Sequence, residues 1–258
     1  MKKINIQNRS GKKIVVLLDE AEKQKGLAFV MHGLGGFKEQ AHVETFARSF
    51  KDSGFTVLRF DATNSIGESD GDYADATVTN YYADLVDVIA WASKQKWYQE
   101  PFALAGHSLG GICTALYAEK YPEKVLMLTP ISSVVSGRLS TETDRHKKIA
   151  KEWEESGWHV SKSESKQGVI KHLKWSHMED RLKYDLLPEA GKLKMPVLLI
   201  VGGKDEGTPL AHQQILFDAI PVDKKELHVI KNAPHTFRDE GHLKEIYEIF
   251  SAWIQKCL

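Results

Sequence analysis

One pentapeptide restricts the fold of this chain more than any other stretch. Gly106-His107-Ser108-Leu109-Gly110 follows a short apolar run, Phe102–Ala105, and precedes a helix-like segment, Ile112–Ala118. The order is strand, sharp turn, helix, with a serine at the apex. Glycines flanking Ser108 leave room for a turn tight enough to hold the serine in a strained backbone conformation. Its hydroxyl is then lifted above the sheet edge at a helix N-terminus, where the helix dipole favours developing negative charge. A bare G-x-S-x-G arises by chance in many chains; within strand, turn and helix it is specific.

The rest of the chain supplies the sheet that such a turn needs. Ile4–Gln7 and Ile14–Leu18 read as two opening strands, antiparallel because the turn at Ser10-Gly11 is short. Leu27–His32, Thr56–Phe60, Phe102–Gly106, Val125–Thr129, Val197–Val201 and Glu226–Ile230 follow, most of them almost continuously apolar. That pattern suits strands buried on both faces of a parallel sheet. Helical stretches fall near Ala41–Ser53, Thr77–Lys96, Leu109–Lys120, Leu210–Ala219 and Leu243–Gln255. In the second of these, Tyr81, Leu85, Val88, Ile89 and Ala92 share one helical face. The expected fold class is α/β: a doubly wound, mostly parallel, eight-stranded sheet.

One stretch interrupts the alternation. Ile131 to Leu193 holds no good strand, is rich in Lys, Glu and Ser, and carries Trp153, Trp158 and Trp175. Helical pieces are expected at Thr143–Glu155, Lys166–Trp175 and Met178–Leu182. A structureless loop of about sixty residues is foreign to a compact domain. The segment therefore reads as a lid-like insertion after strand 6, the alternative being a surface embellishment docked by its tryptophans. The domain expectation is a core of residues 1–130 and 194–258 with an inserted cap, 131–193.

A serine hydroxyl is a poor nucleophile at neutral pH and needs an adjacent base, itself oriented by a carboxylate. In a sheet of this kind the acid follows a later strand and the histidine the last one. Val197–Val201 runs into Gly202-Gly203-Lys204-Asp205-Glu206-Gly207-Thr208-Pro209, and Glu226–Ile230 runs into Lys231-Asn232-Ala233-Pro234-His235. Ser108, Asp205 and His235 thus occupy the three positions in the required order. An aspartate in a turn is more often only a turn former; the register with Ser108 and His235 lifts Asp205 above that reading. Glu206, in the same loop, is the competing acid. The second glycine-rich run, His32-Gly33-Leu34-Gly35-Gly36, follows the third strand. It and the nucleophile turn would supply an oxyanion hole from the backbone N–H groups of Leu34 and Leu109. It lacks the spacing of either nucleotide-binding glycine motif.

The other histidines take blander readings. His107 braces the turn, because adjacent side chains diverge; His32 shapes its loop through hydrogen bonds. His242 flanks the final helix, and His228 points to a sheet face. His159, His172 and His177 lie in the insertion, on the surface or against substrate. Cys113 sits in an apolar helical pattern and reads as core. No H-E-x-x-H spacing suggests a metal.

Gly106–Gly110, His32–Gly36, the Asp205 loop and His235 together resemble the α/β-hydrolase fold superfamily over nearly the whole chain. His-Gly-x-x-Gly, Arg59-Phe60-Asp61…Gly67-Glu68-Ser69-Asp70-Gly71 and the insertion after the sixth strand make it most similar to bacterial cinnamoyl/feruloyl esterases and monoacylglycerol lipase-like esterases. The resemblance implies cleavage of carboxylic esters by a Ser-His-Asp triad without a cofactor. Where those relatives carry a tighter Asn-Gly-His-Gly turn, this chain reads Asn64-Ser65-Ile66-Gly67, one residue longer from Asp61. Their substrate preference therefore does not carry over, and Asp61 and Ser69 are expected only to stabilise that loop. Hydrolysis of a thioester, an amide or a carbon–carbon bond by the same triad stays open, as does a non-catalytic binding protein on this fold. A haloalkane dehalogenase, which needs a carboxylate nucleophile, is excluded by Ser108.

Composition narrows the partners. Thirty-five Lys and Arg balance 35 Asp and Glu, so no broad field attracts nucleic acid or an anionic membrane. Asn5, Gln7, Asn8 and Arg9 break the apolar run a signal peptide needs after Met1-Lys2-Lys3, and no run nears the roughly 18 apolar residues of a membrane span. The expectation is a cytoplasmic protein whose partner is a small-molecule ester, with no metal and no cofactor; homodimerisation is left open.

Overall fold

The computed structural model describes residues 1–258. Ten strands and eight α-helices alternate along the chain. The strands are β1 (Lys2–Gln7), β2 (Lys13–Asp19), β3 (Gly26–Met31), β4 (Phe55–Phe60), β5 (Phe102–His107), β6 (Val125–Ile131), β7 (Trp158–Lys162), β8 (Ile170–Lys174), β9 (Val197–Gly202) and β10 (Lys225–Ile230). The helices are α1 (Ala41–Asp52), α2 (Val78–Ala92), α3 (Leu109–Lys120), α4 (Gly137–Thr141), α5 (Asp144–Ser156), α6 (Ser176–Arg181), α7 (Leu210–Ala219) and α8 (Glu240–Cys257). All strands but β7 and β8 form one sheet in the order β1-β2-β4-β3-β5-β6-β9-β10. β1 pairs antiparallel with β2, and β2 antiparallel with β4. Every other pairing is parallel. This is the expected mostly parallel, eight-stranded α/β sheet, with each strand within two or three residues of its sequence-based bounds.

The near-continuous apolar runs arise because helices cover both sheet faces. β3 alternates between them: Leu27, Phe29 and Met31 enter the core under α2 and α3, while Ala28 and Val30 face α1 and α8. The α2 stripe of Tyr81, Leu85, Val88, Ile89 and Ala92 is buried in the first of these cores, as its spacing predicts. On the other face, the Phe46 ring of α1 stacks on Phe250 of α8 with centroids 5.7 Å apart. Each such fully buried side chain contributes about 1.5–3 kcal/mol. α2 ends four residues earlier than expected. Past Ala92 the chain offers Ser93-Lys94-Gln95-Lys96 with no apolar group to bury, and tightens into turns bonded Lys94 N–H to Trp91 C=O and Gln95 N–H to Ala92 C=O.

The segment between β6 and β9 departs further from expectation. α5 and α6 occupy two of the three anticipated helical stretches. The third, Lys166–Trp175, is instead largely strand β8, paired antiparallel with β7 from Trp158↔Lys174 to Lys162↔Ile170. Its residues follow a period of two. Leu173 turns inward and is buried, Lys171 lies on the same face, and Ile170 and His172 face outward. Abundant lysine disguised that alternation. Trp153 on α5 buries itself against this hairpin and donates Nε1–H to the Leu173 carbonyl at 3.1 Å, so its docking is mainly within the insertion. No helix is long and apolar enough to cross a membrane.

Candidate active site

The carboxyl ends of β3, β5, β9 and β10 meet at one edge of the sheet, where ligands gather in open α/β folds. Ser108 leaves β5 with φ 54° and ψ −111°, a left-handed backbone that a non-glycine residue adopts only when its surroundings force it. Those surroundings are identifiable. Ser108 N–H donates to the Ile131 carbonyl of β6 at 2.9 Å, and the Ser108 carbonyl accepts from Gly111, Ile112 and Val134. A β-carbon on Gly106 would run into the Gly110 carbonyl, and one on Gly110 would lie 2.5 Å from the His32 carbonyl. Both flanking glycines are therefore sterically required.

Three sequence-expected residues are brought together. Ser108 Oγ lies 2.9 Å from His235 Nε2, and His235 Nδ1 lies 2.8 Å from Asp205 Oδ2. The network assigns the tautomer: Nδ1–H donates to the ionised carboxylate, leaving Nε2 to accept from the serine hydroxyl. Asp205 is completely buried at its side chain. Burial opposes its ionisation, but the facing His235 and hydrogen bonds from His235 and Thr208 outweigh it and hold the carboxyl below its ordinary range. Asp205 Oδ1 also accepts from the Gly207 and Thr208 amides at 2.9 and 2.8 Å. Glu206, the competing acid, is exposed, and no hydrogen bond joins it to His235.

Thr208 escaped the sequence reading. Its Oγ1 lies 2.8 Å from Asp205 Oδ2, 2.8 Å from the Ser132 carbonyl and 3.2 Å from His235 Nδ1. The spacing Asp205-x-x-Thr208, an aspartate followed by a capping hydroxyl, is the signal that could have found it.

The neighbouring loops are fastened by hydrogen bonds and close packing. His107 Nε2–H donates to the His235 carbonyl at 2.8 Å, bracing the histidine loop. Burial and the nearby His235 pull the His107 pKa down to about 3, so it stays neutral. His32 donates from Nδ1 to the Gly33 carbonyl and accepts the Ala62 amide at Nε2, at 2.7 and 3.0 Å. Asp61 accepts from the Lys38 ammonium and the Glu68 amide, while Ser69 Oγ donates to the Asp61 carbonyl, which fastens the β4 loop. Gly33 abuts Ser108, since a β-carbon there would lie 3.0 Å from the serine Cβ. The next residue, Leu34, offers an N–H that no protein acceptor takes. Leu109 is the first residue of α3, so its N–H lacks an intrahelical partner. Both residues line the cavity above Ser108.

That cavity encloses about 470 Å³. Its floor is the sheet edge, and α4, α5, α6 and the β7–β8 hairpin supply much of its wall. Only six of 33 lining residues are hydrophobic; six are Lys or Arg and two are Glu. The insertion contributes Ile149, Trp153 and Leu173, outnumbered by polar groups. No group of three or more His, Cys, Asp or Glu is arranged to hold a metal ion. Cys113, on the inner face of α3, is buried in the core.

The family model for the alpha/beta hydrolase fold matches residues 29–158. The chain belongs to that family. It is 26% identical over 226 residues to the bovine mitochondrial palmitoyl-protein thioesterase ABHD10, spanning 86% of this chain and 70% of that protein. Among solved structures, Est1E from Butyrivibrio proteoclasticus, with ferulic acid bound, superposes with a TM-score of 0.81 at 20% identity, covering 98% of each chain. Alpha/beta hydrolase domain-containing protein 10 from mouse gives 0.81 at 21% identity over the full length of both. At such identities these structures share the fold.

Proposed function

We propose that this protein is a serine hydrolase that cleaves carboxylic esters. The observation that carries the reading is the unbroken hydrogen-bonded chain from Ser108 Oγ through His235 to Asp205, opening into a cavity. In the proposed reaction Ser108 attacks the ester carbonyl as His235 Nε2 takes its proton. Asp205 holds the imidazole tautomer and stabilises the imidazolium that forms. The Leu34 and Leu109 amides receive the oxyanion, and His235 protonates the departing alcohol. A water deprotonated by the same histidine then attacks the acyl-enzyme, releasing the acid and regenerating Ser108. The chain is organised for this as a core, residues 1–130 and 194–258, with 131–193 acting as a cap over the serine.

The same machinery would serve a thioester, and the similarity to a relative named as a thioesterase supports keeping that reading second. The polar cavity argues against a long alkyl chain lying within it. The test is labelling by a fluorophosphonate probe, followed by turnover of p-nitrophenyl esters and acyl-CoAs. We expect labelling that Ser108→Ala abolishes, and faster ester than thioester turnover. Absence of labelling in folded protein would leave a binding protein on this fold instead.

A further inference from the structure

The cavity wall holds several cations that make no ion pair. Arg145 stands at the start of α5, Lys171 on β8 and Arg181 at the end of α6, so three separate elements of the insertion direct positive groups to one space. None of the three forms an ion pair within the chain, whereas Arg238 is neutralised by Glu164 at 3.0 Å. The remaining cavity carboxylate, Glu206, is exposed and pairs with none of them. Asp180, next to Arg181, is turned away, accepting from the Thr79 amide and hydroxyl. Arg181 Nε is buried and has no hydrogen-bond partner, a costly condition for a guanidinium donor.

Arg145 also lies close to the reacting groups, and Lys171 to the glycine loop. A β-carbon placed on Gly207 would be 3.4 Å from Arg145 Nη1, 3.6 Å from Asp205 Oδ1 and 3.8 Å from His235 Nδ1, the Asp205 carboxylate being already committed to His235 and Thr208. The Lys171 stem crosses the glycine loop, with Cδ 3.1 Å from a β-carbon placed on Gly35, and its ammonium sits 5.8 Å from the Tyr73 ring centre. Burial and the nearby Arg145 pull the Arg181 pKa down to about 10, and burial lowers that of Lys171. Glu164 opposes the shift at Lys171 without cancelling it, whereas only burial and like charge act on Arg181. Across the chain, Lys and Arg equal Asp and Glu in number, so the excess in the cavity is local rather than a reflection of composition.

We infer that the cavity selects an ester bearing a second, anionic group, a carboxylate, held by Arg145 and Arg181 with Lys171 beside the glycine loop. A guanidinium pair presents forked donors matched to a carboxylate. The arrangement fits a monoester of a dicarboxylic acid, or an ester of a carboxylate-bearing alcohol or phenol. This inference rests on the proposed hydrolase reading for which bond is cut, though not for the anion site itself.

The experiment compares kcat/KM within two matched pairs. On the acyl side these are mono-p-nitrophenyl adipate and p-nitrophenyl hexanoate; on the alcohol side, 4-acetoxybenzoate and its methyl ester. We expect the anionic member to lead by roughly 10- to 100-fold in at least one pair, as charge-assisted hydrogen bonds in a partly desolvated site imply. Arg145→Gln and Arg181→Gln should each shrink that ratio by about ten-fold, Arg145→Glu should invert it, and Arg145→Lys should restore part of it. Arg145 is exposed, so its variants keep the test alive if Arg181→Gln fails to fold. Adipate binding to Ser108→Ala, followed by calorimetry, separates the two readings. Arg145-dependent binding without ester turnover by the wild type would sink the hydrolase and keep the anion site. Turnover of both neutral esters with no anionic preference, or a ratio unmoved by Arg145→Gln, would overturn the anion site alone.

Discussion

The turn at Ser108 and the β7–β8 hairpin face each other across the cavity and are built on opposite terms. The turn is clamped: β5 is buried along its whole length, both flanking glycines are sterically required, and the strained serine backbone is bonded to β6 on one side and α3 on the other. The hairpin has one buried residue, Leu173, and leaves Trp158, Val160 and Ile170 exposed. A reacting atom must be positioned to within a fraction of an ångström, which demands a rigid frame. A charged wall needs only to bring its cations near the substrate, and side-chain reach supplies that. On the proposed reading, geometry resides in the core and recognition in the insertion.

The sharpest way to break this division is at the core. Ser108→Ala should lower kcat by roughly four to six orders of magnitude while the melting temperature stays near wild type; more than a few per cent residual esterase activity would remove Ser108 from the role. Asp205→Asn should cost on the order of 10⁴ in kcat by favouring the wrong imidazole tautomer, whereas Glu206→Gln should not approach that loss. The reverse ranking would transfer the acid to Glu206. Activity should also be lost in acid, because the proposed base must begin neutral.

A test on the insertion side replaces residues 137–186 with a short Gly-Ser linker. Contacts to non-reacting groups discriminate by about 1–3 kcal/mol, so the rank order of longer and charged esters should change far more than turnover of p-nitrophenyl acetate. Melting must be followed as well, since Trp153 is only 5% exposed. A folded variant with an unchanged rank order would reduce the insertion to decoration. Thr208→Val probes the seam between the regions, removing one hydroxyl donor from the Asp205–His235 pair. It should lower kcat by about ten-fold with little change in KM.

The smallest effect on catalysis should come from Glu119, at the end of α3 remote from Ser108. Burial lifts its pKa to about 8, so the folded protein holds a proton that the unfolded chain releases above the ordinary carboxylate range. The stability this proton brings is present at low pH and lost as pH rises towards 8. Glu119→Gln should therefore gain stability over wild type between about pH 5 and 9, by on the order of 1–3 kcal/mol. Paired melting curves at the two ends of that range check it. An equal gain at both ends would contradict the protonated carboxyl.

Much of this was written along the chain. Strands buried on both faces read as apolar runs, so the eight-stranded sheet was legible. Ser108, Asp205 and His235 were also legible, because each follows a strand that carries it to the same sheet edge. The hairpin was not, since one of its faces meets solvent and the other a polar cavity, leaving lysine-rich alternation that resembles a surface helix. Thr208 was hidden because a hydroxyl in a turn has many local uses. Nor does any local pattern join Arg145, Lys171 and Arg181. They lie on two helices and a strand, and only the packing of those elements over the sheet edge brings three like charges together. Sequence alone determined the sheet and the order of its site residues, since these depend on hydrophobic periodicity and turn chemistry within short windows. Tertiary structure alone decided what charge faces the serine, because that depends on distances between residues far apart in the chain.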